Sequence, residues 1–259
     1  MSRLGGLEGG LQVVCASAGN LGQALAYSGR LRNCAVTVTA SSKANPSKIE
    51  RMKALGAEVI LVDGEIEEAL AAASEISART GAALIEDSKN LGTCEGAATI
   101  GLELAASFPS LDAVLISLGA GAMATGVGHA MRCRLPAVEV LTVQPKQAPA
   151  MTKSFRAGHV VDAGRPDTIA DGVAGRYVIP EVLDDLKQVA TDAFLVSEES
   201  IKEAMRLLYR HSGLIVEPAA ALGVAAILEN PDRFRGKTVA TILCGGNIGI
   251  ADFERWVIH

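Results

Sequence analysis

Short apolar runs alternate with longer stretches in which apolar residues recur at helical spacing, beginning near residue 12 and continuing to the end of the chain. Residues 12–17, 35–40, 57–62 and 82–86 are rich in Val, Ile and Ala and are predicted to be buried strands. Between them, a pattern starting at Gly22 and residues 48–55 and 65–80 predict helices. Asn45 and Pro46 supply an N-cap and a first helical position, and Gly56 and Gly81 supply stops. A helix over 95–107 ends at Pro109, then strand 113–117, helix 123–134 and strand 139–143 follow. Ser197, with Glu198 and Glu199 in the favourable first turn, opens a helix to about His211. Helix 218–229, strand 238–243 and a short helix holding Phe253 and Trp256 complete the pattern. Residues 144–195 contain Pro145, Pro149, Pro166 and Pro180 and are expected to form loops and short elements.

This rhythm predicts an α/β chain with two domains of parallel sheet, each with helices on both faces. A change of domain is expected where Pro109 breaks the chain, giving a smaller domain at 12–108 and a larger one at 109–259. The length, 259 residues, suits such a division. Apolar residues make up 49% but aromatics only 3%, so the cores must be built from Ala, Val, Ile and Leu.

The formal net charge is −5 and the basic residues form no block, which argues against a nucleic-acid partner. The five cysteines, Cys15, Cys34, Cys94, Cys133 and Cys244, are odd in number and none makes a CxxC pair. A disulfide framework or zinc site is not expected, and a reducing, cytoplasmic setting fits. Residues 1–10 carry no apolar signal core, and no apolar run approaches the ~20 residues of a membrane span.

Four motifs could carry chemistry. Ser117-Leu118-Gly119-Ala120-Gly121-Ala122-Met123 follows a strand and opens a helix, where small residues and free amides can hold a phosphate. It also fits GxGxxA through Gly119, Gly121 and Ala124, which admits a nicotinamide dinucleotide and an oxidoreductase. That fold expects an acid at the end of the next strand. The strand here ends in Gln144, and Glu139 stands at its beginning. A tight turn without ligand is the bland alternative. Ser17-Ala18-Gly19-Asn20 joins a strand to a helix and could cap it or bind a carboxylate. Glu217-Pro218 suits a helix start, and Cys244-Gly245-Gly246-Asn247 suits a turn with a buried thiol.

Taken in order, SAGNLGQALA, NPSKIERMKALGAEVILVDG, SLGAGAMATGV, VEPAAALGVAAIL and ILCGGN resemble the serine/threonine dehydratases, fold-type II pyridoxal-phosphate enzymes of the tryptophan synthase beta-like kind. The resemblance covers about residues 12–247. It implies that pyridoxal 5'-phosphate is the cofactor, with Gly119, Ala120, Gly121, Ala122 and Met123 on its phosphate. Asn20 would meet its phenolic oxygen, Cys244 its ring nitrogen, and Glu217 would lie near the ring. Ser17, Ala18 and Gly19 would close on the carboxylate of a small amino-acid substrate. The implied activity is β-elimination to a 2-oxo acid and ammonia. Serine, threonine, a β-hydroxyaspartate and a diamino acid all fit the pattern.

Ala18 stands where serine racemases of this family carry a second Ser, which favours elimination over racemisation. Gln144 is a poorer ligand for a hard cation than the carboxylate often found nearby, so no metal is expected. The family's Schiff-base lysine lies in a Ser-x-Lys-x-Arg-Gly segment upstream of the Asn loop. The residues before Ser17 contain no lysine, and Lys43 is the first in the chain. The expected catalytic residue is thus absent from this sequence, and a non-catalytic cofactor- or phosphate-binding protein is the alternative. A homodimer or homotetramer is the assembly the resemblance implies.

Overall fold

The computed structural model describes residues 10–259 and divides the chain into two compact units, one ending at Gly92 and the next beginning at Thr93. The expectation about a signal core in residues 1–10 falls almost wholly outside the described residues.

The first unit is a four-stranded parallel sheet. Its strands are β1 (Gln12–Ala16), β2 (Ala35–Ser41), β3 (Glu58–Val62) and β4 (Ala83–Ile85), in the order β3-β2-β1-β4. Helices α1 (Asn20–Arg32), α2 (Pro46–Ala54) and α3 (Ile66–Thr80) make the crossovers. The two-residue period of β1 divides its side chains between two cores. Cys15 joins Leu25, Val38 and Met52 on one face, and Val14 joins Ala73 and Ala82 on the other. Burial pushes the Cys15 thiol up to about 12, so it acts here as a small hydrophobe. The helix signals work as read from the sequence. The Asn45 side chain accepts from the Ser47 amide at 3.0 Å with Pro46 at N1, and Gly81 closes α3 in the left-handed conformation.

The second unit is also a parallel sheet. It comprises β5 (Ala113–Ser117), β6 (Glu139–Pro145), β7 (Asp192–Val196) and β8 (Val239–Thr241), in the order β7-β6-β5-β8. Its helices are α5 (Ala122–Arg134), α6 (Ala150–Ala157), α7 (Pro180–Val189), α8 (Glu198–Ser212), α9 (Leu222–Glu229), α10 (Pro231–Phe234) and α11 (Ile250–Phe253), preceded by α4 (Leu91–Ser107). Every residue of the central strand β5 is buried. Val114 and Ile116 pack with Met131, Leu183 and Leu186, whereas Ala113 and Leu115 pack with Ile201, Met205 and Leu222.

Two expectations differ from the structure. The boundary between units falls at Gly92/Thr93, earlier than Pro109, because α4 packs closely on α5. A Cβ at Gly101 would lie 2.6 Å from that of Ala130, and one at Gly126 would collide with the Cys94 carbonyl. Residues 144–195 also hold more regular structure than expected, namely α6, α7 and the edge strand β7. No helix among the described residues is long and apolar enough to cross a membrane.

Candidate functional site

The C-terminal edge of the second sheet gathers three of the four sequence motifs. Leu118 leaves β5 with its amide donating to the Val143 carbonyl at 2.9 Å, and the chain then turns through Gly119, Ala120 and Gly121 into α5. Gly121 sits at φ 121°, a conformation that disfavours any side chain, and a Cβ there would collide with Val182. A Cβ at Gly119 would stand 3.3 Å from the Gly172 carbonyl. Gly172 belongs to a 3-10 turn, Asp171–Val173, that packs under the loop. The turn has only the Ala170-Asp171-Gly172 punctuation as its sequence signal and was not anticipated.

From the same edge, the Ser117 hydroxyl donates to the Ala219 carbonyl at 2.6 Å, and the Glu217 amide donates to the Gly245 carbonyl at 3.0 Å. Ser117, Glu217 and Cys244 are therefore neighbours although 127 positions separate the first from the last (244 − 117). Burial raises the Cys244 thiol above its ordinary value, and the Glu217 charge raises it further, while Ser117 pulls slightly the other way. Cys244 remains a solvent-exposed residue.

These groups suit a phosphorylated ring. The first turn of the 13-residue helix α5 presents amides and the positive end of its dipole. Among the described residues only Asn33 and Ser88 are non-glycines at positive φ, so Ala120 and Ala122 keep ordinary backbone. With no side chain at Gly119 or Gly121, an anion can approach the main chain.

In the first unit, the Ser17 side chain accepts from the Gly19 and Gly22 amides at 3.2 and 3.1 Å. Ser17 is buried, Ala18 and Gly19 are half-buried, and Asn20 is exposed. The Ser17 side chain thus satisfies an amide in the first turn of α1. Gly22 is required for this packing, since a Cβ there would lie 2.5 Å from the Met52 sulfur.

A model of the pyridoxal-phosphate dependent enzymes matches residues 3–245. The chain belongs to this family. It is 33% identical over 243 residues to an L-threonine ammonia-lyase of Thermotoga maritima, covering 94% of this chain and 60% of that protein. It is 30% identical to an L-threo-3-hydroxyaspartate ammonia-lyase of Saccharomyces cerevisiae, covering 94% and 74% of the two chains. The solved processed form of threonine deaminase isoform 2 from Solanum lycopersicum superposes with a TM-score of 0.89 at 28% identity, over 94% of this chain and 68% of that one. The chain spans less than two thirds of the length of the Thermotoga relative.

Family membership replaces the dinucleotide alternative, and the structure agrees. The Gln144 side chain at the end of β6 is buried and accepts from the Thr152 amide at 2.8 Å, leaving no acid there. Glu139, at the start of β6, is bound by Arg233 and Lys237.

In the second unit Lys146, Lys187, Lys202 and Lys237 pair with Glu229, Asp184, Glu199 and Glu139, and the fifth lysine, Lys153, is exposed on α6.

Proposed function

We propose that the chain carries the cofactor site of an ammonia-lyase that converts a small β-hydroxy amino acid to a 2-oxo acid and ammonia. The observation that supports this most is the convergence of the Gly119–Met123 loop, Glu217 and Cys244 at one sheet edge. When bound, pyridoxal phosphate supplies an electron sink for a bond broken at the substrate's α-carbon.

The chain's own residues have simpler tasks. Gly119, Ala120, Gly121, Ala122 and Met123 hold the phosphate by main-chain amides. Cys244 would face the ring nitrogen with a thiol that burial raises and so keeps neutral. Such a partner leaves that nitrogen unprotonated, which suits elimination. Glu217 lies beside the ring. By the resemblance, Asn20 would meet the phenolic oxygen, and the Ser17-Ala18-Gly19 turn would receive the substrate carboxylate. The methyl group of Ala18 offers no second acid or base, which favours elimination over racemisation. A homodimer or homotetramer in the cytoplasm accompanies this reading by resemblance, and sedimentation of the cofactor-loaded protein checks the assembly.

The pairing of four of the five lysines of the second unit with acids favours a second reading, in which this chain holds the cofactor reversibly without chemistry of its own. Both readings require a working phosphate loop. Titration with pyridoxal phosphate is expected to saturate at one per chain, to be competed by inorganic phosphate, and to weaken at least about tenfold in Gly121→Ala. Binding indifferent to phosphate and to that substitution would remove the basis for both.

A further inference from the structure

The loop after β4 carries an aspartate that the proposed chemistry leaves unused. Strands β1 and β4 run parallel in the register Val13↔Ala83, Val14↔Leu84 and Cys15↔Ile85. Ser17 and Asp87 each follow two residues beyond the last pair, at the C-terminal edge of the same sheet. Adjacent strands stand about 4.8 Å apart, so the segments that carry Ser17 and Asp87 leave the sheet from neighbouring positions.

The loop around Asp87 is held in place. The Asn90 side chain accepts from the Glu86 amide at 2.5 Å, and the Asn90 amide donates to the Glu86 carbonyl at 3.4 Å. Ser88 is buried at 6% exposure with φ 65°, a conformation kept by a non-glycine residue only where its surroundings enforce it. Its hydroxyl donates to the Asp87 carboxylate at 3.2 Å. The nearest cation along the chain, Lys89, is paired with Glu86 at 3.0 Å and does not neutralise Asp87. Asp87 is open to solvent, and desolvation raises its pKa while the hydrogen bonds from Ser88 pull the other way.

We infer that Asp87 sets the substrate class by facing the β-substituent of the amino acid whose carboxylate the Ser17–Asn20 turn receives. This rests on the ammonia-lyase reading of that turn and makes it more specific. A carboxylate there accepts a hydrogen bond from a β-hydroxyl and repels a β-carboxylate. The chain therefore takes neutral serine- or threonine-type substrates and rejects 3-hydroxyaspartate.

The test reads binding. The chain loaded with pyridoxal phosphate is titrated with L-serine, L-threonine and L-threo-3-hydroxyaspartate, followed by calorimetry and cofactor absorbance. Wild type is expected to bind serine or threonine at least about tenfold more tightly than hydroxyaspartate, and Asp87→Asn to shrink that ratio about tenfold. Asp87→Ser, which loses the charge with a smaller side chain, should shrink it likewise, and Asp87→Glu should keep it. A wild-type preference for hydroxyaspartate would overturn the inference, as would a ratio unchanged in both neutral variants, with the ammonia-lyase reading left standing. If a chain that holds the cofactor binds none of the three amino acids, that reading fails and takes this inference with it.

Discussion

At Gly121 the backbone sits at φ 121° and any Cβ would meet Val182, so Gly121→Ala carries both strain and overlap. The substitution is expected to lower stability by about 1–3 kcal/mol, read by urea unfolding. It should weaken cofactor binding more than that loss explains, because the amides of the turn move. Cys244 gives a second test at the same scale. Its raised thiol is open to solvent, so it should react with iodoacetamide above neutral pH, slowly, and bound pyridoxal phosphate should protect it. Buried Cys15 should stay unlabelled in the native protein throughout. Peptide mass mapping reads all of this, and a Cys244 labelling rate indifferent to the cofactor would remove it from the site. The sequence singled out Gly121 and Cys244 without difficulty. It did not reveal that Ser17 spends its side chain on capping α1, because a Ser before a helix looks the same in either role.

The junction of α9 with α8 is tied by Glu229. Its carboxylate accepts from the Ser197 amide at 2.7 Å and from Lys146 at 3.0 Å. Burial alone would raise its pKa, but the hydrogen bonds from Ser197, Ser200 and Lys146 prevail and hold it at about 2, against an ordinary 4.5. Its folded pKa is depressed, so the stability that its charge contributes is complete above pH 4.5 and is lost as the pH falls toward 2. Glu229→Gln is expected to cost about 1–3 kcal/mol at pH 7, with the deficit shrinking below pH 4.5, as measured by urea unfolding across that range. A deficit independent of pH would mean that packing alone is at stake. Most elements were legible because strands and helices alternate with clear caps, as at Asn45-Pro46 and Ser197. Helices α6 and α7 were hidden by their prolines. Pro149 precedes the first residue of α6 and Pro180 is the first residue of α7, positions where the missing N–H does no harm. Pro145 likewise ends β6 opposite Val196 of β7.

For the whole molecule, the order of the motifs conveyed what no single motif could. Each has an innocent explanation, yet Ser117, Glu217 and Cys244 come together only because parallel strands bring all their C-terminal ends to one edge of a sheet. The boundary at Gly92/Thr93 was not legible, since the α4–α5 contact depends on glycines that look like ordinary helix weak points in sequence. On the proposed reading, this chain supplies a pyridoxal-phosphate cradle whose lysine is not among its own residues. The most direct measurement incubates the purified chain with pyridoxal phosphate, reduces one half with borohydride, dialyses both, and maps modified peptides by mass. Saturable binding before dialysis, complete release from both halves and no single lysine modified stoichiometrically are expected. One stoichiometrically modified lysine would contradict that reading, because a lysine of this chain would then reach the cofactor.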